Sequence, residues 1–364
     1  NCARRSTRSK GWVITRPRDI KIGPGRPLMV WRKRKWLCAN GSCDRKSFTE
    51  SVPEISPRAR MTARAKTEMA LAVLDDDRSV KAVAAAYGCT WNTCHRAVVV
   101  TANPVLAAEP EPVLVLGIDE TRRGKAKWEI CPETGKRTWV DRWDTGLVDI
   151  GGHQGLLAQV NGRTSGVVTD WFGERDDQWK ASITHVAIDM SAVYAKAVRD
   201  ALPHAQLVVD RFHLVKKAND MVDTVRRRVT QAQRGRRGRK SDVEWINRRR
   251  LLRAAERLTD EQHAKLFEKL TAADPNGDIA AAWITKELLR DVLACTDRGG
   301  LSYEIREALH RFYTFCAACS VPEIRTLATT ISAWQQPMVL AIETGLSNAR
   351  SEGYNRIVKH VGRI

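Results

Sequence analysis

The pattern of apolar and polar positions is clearest between residues 183 and 216. Two short apolar runs, VAI at 186–188 and LVV at 207–209, are bounded by polar residues, as is typical of buried strands in a parallel sheet. The stretch between them has a helical pattern, and each run is followed directly by an aspartate, Asp189 and Asp210. The pattern predicts a β-α-β unit with a carboxylate at the edge where open α/β sheets bind ligands.

A strand-end aspartate can also be a simple helix cap, and for one such residue this interpretation is as good as a functional one. A further strand is predicted at 113–118, however, and it is followed by Asp119 and Glu120. More strands are predicted at 127–140, with a turn at 132–135, and at 143–150. A weaker strand at 155–160 and a helix from about 165 precede the β-α-β unit. The repetition of carboxylates after strands favours a functional site.

Residues 214 to about 335 have a helical pattern throughout. They include the basic run VRRRVTQAQRGRRGRK at 225–240, in which two glycines favour a flexible loop. Because the chain carries a formal net charge of +19, we expect this run to contact phosphate. The predicted contact residues are Arg226, Arg227, Arg228, Arg236 and Arg237.

Residues 56–102 predict a small helical domain. One helix is expected at 58–74 and a second at 80–87, and a turn at Gly88 leads to a third helix with Thr90 as its N-cap. This order is that of a helix-turn-helix, although an ordinary helical hairpin has the same local pattern. The predicted DNA-contacting residues are Trp91, Asn92, His95 and Arg96.

The first 52 residues are rich in Arg, Lys, Gly and Pro. Cys38 and Cys43 flank an Asn-Gly turn, an arrangement that can present two thiolates to one structural Zn²⁺, with Cys2 as a possible third ligand. The alternative is two unrelated cysteines in a basic loop. The run WRKRKW at 31–36 suits phosphate contact with or without metal. The residues concerned are Arg32, Lys33, Arg34 and Lys35.

Composition narrows the possible partners. The 364 residues carry a formal net charge of +19 with a pI near 9.8, which indicates a polyanionic partner. Without a membrane-length apolar run or a signal-peptide pattern, we predict a soluble intracellular protein. The odd number of cysteines, nine, favours thiols or metal ligands over disulfides, and Cys316 with Cys319 is interpreted as helix packing. Residue 1 is asparagine, so we expect a processed form or a fragment.

The chain closes with TGLSNARSEGYNRIVKHV. Four polar residues in it recur at helical spacing and are expected on one helix face. Such a face is most often simply solvated, but a carboxylate, two amides and a lysine would also suit a metal–phosphate site. The four residues are Asn348, Glu352, Asn355 and Lys359.

Three stretches together carry a family resemblance. GIDET at 117–121, the segment at 188–220 that contains VVDRFHLVKKAND, and SNARSEGYNRIVK at 347–359 resemble the bacterial insertion-sequence transposases of the ISL-three type. These are DDE transposases, named for their three catalytic carboxylates, with a ribonuclease H-like core. The likeness covers nearly the whole chain. The departures are an incomplete first cysteine pair and an end at Ile364, soon after the glutamate helix.

The resemblance implies a fold and a domain order. We expect a zinc-ribbon-like segment at 1–52, a helix-turn-helix domain at 56–102 and a catalytic domain at 111–364. The catalytic domain would be an α/β ribonuclease H-like core, a mixed sheet with flanking helices, with a large all-helical insertion at about 214–335.

The resemblance also implies a metal site. Asp119, Asp189 and Glu352 would bind Mg²⁺ or Mn²⁺, because phosphoryl transfer by in-line attack is served by two divalent ions in a carboxylate cradle. The family fold expects the second aspartate on the strand beside the first, which favours Asp189 over Asp210. Asp210 stays the alternative, and with His213 it would order the site or contact substrate. The resemblance gives Asn348, Asn355 and Lys359 the same supporting role as Asp210 and His213.

The expected function is a DNA transposase that binds the inverted repeats of its element, cleaves them and joins them to target DNA. Joining two ends implies a homodimer or larger synaptic complex, in a cytoplasmic, nucleoid-associated location. Two alternatives share the same features: an inactive DNA-binding regulator derived from a transposase, and a structure-selective nuclease. Metal-dependent nicking and strand-transfer products distinguish them. A membrane-surface role is the weakest alternative.

Overall fold

The computed structural model describes residues 5–361, and these form two compact units. One unit extends to Glu109 and the other begins at Pro110. Cys2, one of the predicted zinc ligands, lies outside the described residues. Within residues 5–361, no helix has the length and apolar character needed to cross a membrane.

The first unit opens with a three-stranded antiparallel sheet in the order β1-β2-β3. The central strand alternates sides, so that Arg32 and Arg34 are exposed and lie over the Trp12 ring, at 4.5 and 4.8 Å from its centroid. Lys33, between them, is only 7% exposed. The alternation thus buries the Lys33 side chain in this conformation, and its contact with DNA stays a prediction. The strands are Ser9–Thr15 (β1), Trp31–Leu37 (β2) and Ser47–Thr49 (β3).

Three helices follow, α1 (Ala63–Leu74), α2 (Val80–Tyr87) and α3 (Trp91–Leu106). The predicted bounds of α2 are confirmed, since Ser79 caps its start and Gly88 ends it in the left-handed conformation, at φ 63°. The first helix was expected from residue 58 but begins five residues later. Arg58 itself has φ 61°, which interrupts a right-handed helix, and Thr62 provides the cap.

The third helix also differs from its expectation. Thr90 caps α3 as predicted, its hydroxyl accepting from the Thr93 amide at 3.3 Å. The helix then continues through Pro104 to Leu106, although a linker was expected from residue 103. Helical hydrogen bonding continues beyond the proline, with the Ala107 amide donating to the carbonyl of Asn103 at 2.9 Å.

The second unit is built on a five-stranded mixed sheet in the order β10-β9-β4-β7-β8. Strands β4, β9 and β10 pair in parallel, whereas β7 pairs antiparallel with both of its neighbours, β4 and β8. Strands β5 and β6 form a separate two-stranded sheet. The strands are Val115–Arg122 (β4), Lys127–Ile130 (β5), Arg137–Val140 (β6), Trp143–Asp149 (β7), Gly155–Asn161 (β8), His185–Ile188 (β9) and Gln206–Val209 (β10).

The predicted β-α-β unit is confirmed, with a helix between β9 and β10 and parallel pairing of the two strands. One detail of the neighbouring strand was wrong. Asp119 was expected at the end of its strand, but β4 continues to Arg122 because it pairs with β7 as far as Trp143. Only the parallel pairing with β9 stops at Ile118. Asp119 is therefore the first residue beyond the parallel part of the sheet.

Helices occupy the rest of the second unit and pack into two main cores. One core covers the sheet, with Ile118, Phe172 and Tyr194 among its buried residues, and the other lies within the helical region around Phe312. The helices are Ser165–Gly173 (α4), Asp177–Ser182 (α5), Ala192–Ala201 (α6), Arg211–Arg234 (α7), Val243–Leu251 (α8), Asp260–Thr271 (α9), Asp278–Ala294 (α10), Ser302–Ala318 (α11), Pro322–Ala333 (α12), Gln335–Thr344 (α13) and Ala349–Val361 (α14).

Two predictions for the helical region can be compared with these bounds. Cys316 is 2% exposed within the helical core, so its interpretation as a packing residue is confirmed. The basic run at 225–240, expected as a loop, is helical as far as Arg234 and ends at Gly235 with φ 62°. The 24 residues of α7 carry apolar positions at helical spacing against the helical core, which overrides the local charge pattern.

This helix changes the status of the predicted phosphate-contacting arginines. Arg226 is 3% exposed and is paired with Asp223, as is Arg227. Arg228 bonds Glu323 through Nε at 2.7 Å and Asp278 through Nη1 at 3.0 Å, and Arg236 bonds Asp242 at 2.7 Å. Arg226 is buried in this conformation, and its contact with DNA stays a prediction. Arg226 and Arg227 share the single carboxylate of Asp223, whereas Arg228 and Arg236 pair with other carboxylates.

The last helix, α14, lies close against strands β4, β7 and β8, and glycines on those strands make room for it. A Cβ on Gly117 would stand 2.4 Å from the Ser351 hydroxyl and 2.6 Å from Oδ1 of the Asn348 side chain. A Cβ on Gly146 would meet its nearest neighbour only at 3.7 Å. The seating of α14 therefore depends on Gly117 far more than on Gly146.

We expect Gly117→Ala to lower the free energy of unfolding by about 1–3 kcal/mol, because the added methyl group overpacks a buried contact. Gly146→Ala, on the neighbouring strand, is the matched control and should change stability by less than about 0.5 kcal/mol. Urea denaturation followed by circular dichroism measures both. Equal stability of the two variants would contradict the close packing of α14 at Gly117.

Candidate active site

Asp119 is the most tightly held of the three predicted ligands. Its side chain is 7% exposed, and both carboxylate oxygens accept hydrogen bonds. Oδ1 accepts from the Glu120 amide at 2.7 Å, and Oδ2 accepts from Nδ2 of Asn355 on α14 at 2.6 Å. Burial and, to a smaller extent, the negative charge of Asp189 raise the pKa of Asp119 to about 7, although these two bonds lower it.

Asp189 directly follows β9, the strand beside β4, so the two aspartates come from adjacent positions at one sheet edge. Nε2 of His213 lies 3.0 Å from Oδ1 of Asp189. Burial raises the pKa of Asp189 to about 7, and the negative charges of Asp210, Glu120 and Glu352 add to this effect. Three carboxylates from separate segments therefore interact electrostatically with Asp189.

Asp210 occupies the next strand end but has a second task. It is the N-cap of α7, and its Oδ1 accepts from the Phe212 amide at 3.4 Å. The side chain is 5% exposed, and burial raises its pKa. The helix-cap interpretation considered for strand-end aspartates thus describes Asp210, while Asp189 makes its contact to a histidine.

Helix α14 supplies the third segment. Nδ2 of Asn348, just before the helix, donates to the carbonyl of Ile118 at 3.0 Å, and Asn355 holds Asp119. Glu352 lies between them in sequence and is half-buried. Lys359, expected on the same face, is exposed, whereas Asn348 and Asn355 are buried.

Some residues near the site were missed in the sequence. Tyr194 of α6 is 2% exposed, its hydroxyl is 3.0 Å from the Thr145 hydroxyl, and burial raises its pKa to about 12. A cavity of about 320 Å³ opens beside Asp189. In the sequence, the adjacent pair Lys216 and Lys217, shortly after DRFH, could have indicated a phosphate contact at this cavity. The cavity is lined by Glu120, Asp189, Met190, Ser191, Tyr194, His213, Lys216, Lys217 and Asp220.

The site can be tested for its fit to a metal ion. Within residues 5–361, no three His, Cys, Asp or Glu side chains already stand in metal-binding geometry. The donors of the acidic group are carboxylate oxygens, which hard divalent cations prefer. Burial and the neighbouring carboxylates raise the pKa values of Asp119 and Asp189, and a bound cation would favour their ionised forms. The chemistry of the donors therefore fits Mg²⁺ or Mn²⁺.

The cysteine pair of the first unit forms the expected turn. The Cys43 amide donates to the Asn40 carbonyl at 3.1 Å, and the Cys38 amide donates to Lys46 at 2.9 Å. Both cysteines line one cavity, of about 670 Å³. Two thiols are half of a tetrahedral zinc site, so the fit to Zn²⁺ depends on further ligands.

Helix α3 presents its predicted contact residues to solvent. Trp91, Asn92, His95 and Arg96 are all exposed, while Cys94 faces the core. The Trp91 ring stacks on the His95 ring, with centroids 4.5 Å apart and planes 13° apart. This face has the exposure that a base-reading helix requires.

Comparison with protein families matches three parts of the chain. Residues 116–364 match a family described as transposase, of the ISL3 (ISL-three) type. Residues 50–99 match the helix-turn-helix domain of transposase family ISL3. Residues 1–43 match the zinc-finger of transposases IS204/IS1001/IS1096/IS1165.

Individual relatives agree with these matches. The transposase of insertion sequence element IS1557 from Mycobacterium tuberculosis is 29% identical over 204 residues, which are 50% of this chain and 44% of the relative. The chain thus spans less than half the length of that relative. The transposase of element IS1001 from Bordetella parapertussis is 24% identical over 100% of this chain and 83% of its own length. The Drosophila P element transposase strand transfer complex aligns with a TM-score of 0.39 and 10% identity, over 84% of this chain and 82% of that one.

The buried acidic pair predicts a specific dependence of stability on pH in metal-free buffer. The pKa values of Asp119 and Asp189 are higher in the folded than in the unfolded chain, so the folded state favours their protonated forms. Their contribution to stability is complete below about pH 4 and is lost as pH rises through about 7. Asp119→Asn should therefore be more stable than the unsubstituted protein at pH 8, on the order of 2 kcal/mol, and equal to it at pH 4.

Thermal unfolding in EDTA, across pH 4–8, measures this difference. Asp170→Asn, at an exposed position of α4, is the control and should show no such trend. A constant difference between Asp119→Asn and the unsubstituted protein at all pH values would contradict the raised pKa.

Proposed function

This chain belongs to the ISL3 family of transposases, since the family match spans residues 116–364, and we propose that it is a DNA transposase. In this proposal, the protein binds the ends of its insertion sequence, cleaves a DNA strand there and joins it to target DNA. The observation that carries the proposal is the acidic group at one sheet edge. Asp119, Asp189 and Glu352 come from three distant segments. The negative charge of Glu352 contributes to the raised pKa of Asp189, which follows chiefly from burial.

Asp119, Asp189 and Glu352 would hold Mg²⁺ or Mn²⁺ in this proposal. When bound, such ions stabilise the charge that develops in an in-line phosphoryl transfer. The chain's own groups prepare the site for that charge. Asn355 orients the Asp119 carboxylate through its 2.6 Å bond, and His213 fixes Asp189 at 3.0 Å. Lys216 and Lys217, on the cavity wall, would attract the phosphate backbone.

Asp210 is assigned a supporting role. Its carboxylate caps α7, and α7 carries both His213 and the two lysines. Holding the start of that helix places His213 against Asp189. We propose Asp189 as the second catalytic aspartate for this reason, together with its position on the strand beside Asp119.

We further propose that the catalytic core is ribonuclease H-like. In support, three antiparallel strands are extended by two parallel ones in the order β10-β9-β4-β7-β8, with helices packed against the sheet. The division proposed for the chain is a zinc-ribbon-like segment at 1–52, a helix-turn-helix domain at 56–102 and a catalytic domain at 111–364. Helices α7 to α12 would be an insertion in that core.

We propose that the first unit binds DNA and that the protein acts as a dimer or a larger assembly. Arg32 and Arg34 on β2 offer exposed positive charge beside the Trp12 ring, and Arg96 on α3 is also exposed. Zn²⁺ bound by Cys38 and Cys43, with Cys2 as a further ligand, would stiffen the sheet that carries Arg32. Since both ends of an element are joined, we propose that two or more copies act together on double-stranded DNA.

The first test concerns the acidic residues. Asp189→Asn should reduce Mg²⁺-dependent nicking by at least about 10³-fold, because a ligand to charge-stabilising cations is lost. Asp119→Asn and Glu352→Gln should do the same. The substrate is a supercoiled plasmid that carries the DNA flanking this reading frame, and nicks are mapped on gels.

Asp210→Asn is the matched control, since asparagine is also a good helix cap. It should retain nicking within about 10-fold. Full nicking by Asp189→Asn together with loss in Asp210→Asn would exchange the two assignments. Retained nicking in all three variants of Asp119, Asp189 and Glu352 would reject the proposed reaction.

A second test concerns the helix-turn-helix. Arg96→Ala should weaken binding to duplex fragments of the flanking DNA about 10-fold or more, without metal, because a direct contact to the DNA is lost. Arg306→Ala, an exposed arginine on α11, removes the same charge elsewhere and should change binding less than about 3-fold. Gel-shift titration measures both. Equal loss in the two variants would indicate only a general charge effect.

A further inference from the structure

The hairpin of β5 and β6 exposes a pair of tryptophans. Trp128 and Trp139 lie directly opposite each other in the antiparallel register, with ring centroids 5.5 Å apart in an edge-to-face arrangement. They are 56% and 58% exposed, and Ile130 beside them is 68% exposed. Large aromatic rings in a group on the surface mark an interaction site more often than isolated apolar residues do.

The hairpin stands apart from the main sheet. In the described part of the chain, β5 and β6 form a sheet of only two strands. A lone two-stranded hairpin is marginally stable in water, and its aromatic pair would normally be covered by a third element. Among the described residues of the second unit, each of the two tryptophans stays more than half exposed, so the rings are available to a partner.

The position of the hairpin links it to the acidic site. It connects β4 to β7, whose last paired residues are Arg122 and Trp143. Asp119 pairs with Gly146, three residues before that point, which places the base of the hairpin roughly 10 Å from Asp119 along the strand. The hairpin therefore leaves the sheet at the edge that carries the carboxylates.

The base of the hairpin is fixed although its tip is exposed. The Trp143 ring lies beneath two guanidinium groups, with Arg163 at 4.6 Å and Arg122 at 5.6 Å from its centroid. Nε1 of Trp143 donates to Asp141 at 3.0 Å. Arg163 also reaches Glu120 at 3.7 Å, and Glu120 lines the cavity beside Asp189. The direction of the hairpin is thus tied to the site.

The charge around the two rings indicates the class of partner. Residues 122–143 contain seven Lys or Arg and three Asp or Glu. The Arg137 guanidinium lies 5.7 Å from the centre of the Trp128 ring. Exposed aromatic faces interleaved with cations are the features that bind single-stranded nucleic acid, since bases stack on the rings and the cations follow the backbone.

We propose that Trp128 and Trp139 form a stacking platform for unpaired bases of the DNA strand next to the cleavage site. The backbone of a duplex is stiff, so a phosphodiester enters a partly buried acidic site more readily when the adjacent base pairs are open, and opening them costs free energy. Stacking of the freed bases on the hairpin offsets that cost and holds the strand beside Asp119. The inference rests on the proposed transposase function, and it specifies the form of DNA that the site receives.

The direct test is binding of a 20-nucleotide oligo-dT strand without metal, measured by fluorescence anisotropy on the full chain. The double variant W128A/W139A should bind about 10-fold or more weakly, because the loss of stacking weakens the contact of each base. W128F/W139F keeps aromatic faces and should stay within about 3-fold of the unsubstituted protein. Thr138→Ala, adjacent to Trp139 and on the opposite face of the hairpin, is the control and should have no effect. Circular dichroism verifies folding of each variant.

Binding of oligo-dT by W128A/W139A as tight as that of the unsubstituted protein would overturn the proposal. Equal loss in the Phe and Ala double variants would also overturn it, since stacking would then not be the cause. This measurement does not depend on cleavage, so a protein that fails to nick DNA at all would reject the proposed function without deciding the platform.

A second measurement connects the platform to the reaction. On linear duplexes of the flanking DNA, W128A/W139A should cut about 10-fold more slowly than the unsubstituted protein. Mismatching the base pairs next to the mapped cut should restore most of this rate, because the opening cost is already removed. Loss of cutting that mismatches do not restore would contradict a role in stabilising unpaired bases.

Discussion

The acidic site depends on how closely the last helix approaches the sheet. Gly117 has no side chain, and Asn348 and Ser351 fill the space where a Cβ would stand. The amide of Asn348 then reaches the carbonyl of Ile118, and that of Asn355 reaches Asp119. Two side-chain hydrogen bonds therefore join parts of the chain that are 230 and 236 residues apart, and Glu352 lies between the residues that form them.

Acidic and basic side chains are concentrated in different parts of the molecule. Acidic side chains meet at the sheet edge, where burial, together with their mutual repulsion, raises the pKa values of Asp119 and Asp189. Much of the positive charge in the helical region is neutralised internally, as in the contacts of Arg228 with Glu323 and Asp278. The cations that remain beside exposed aromatic rings lie on β2 and on the β5–β6 hairpin. A net charge of +19 therefore overstates the surface available to DNA.

Local patterns predicted the elements that depend on local interactions. Helix α2 and the β-α-β unit were found because caps, glycine turns and short apolar runs act within a few residues. The burial of Arg226 and the length of β4 could not be read in this way, because both depend on partners far along the chain. The strand-end pattern and the helical spacing indicated the acidic residues as candidates, and the resemblance gave them the role of metal ligands. Their hydrogen-bond partners, above all Asn355 on Asp119, required the structure.

The separation in sequence of the acidic residues also has a kinetic consequence. Contacts between residues more than 200 positions apart form late, because the entropy of closing so long a loop must be overcome first. The sheet that carries Asp119 and Asp189 can form from residues up to about 210, whereas the contact with Asn355 requires the end of the described chain. A partly synthesised or partly folded chain would thus hold two aspartates without the third carboxylate. If the chain cleaves DNA as proposed, a site that is completed last would keep cleavage from starting before the domain is complete.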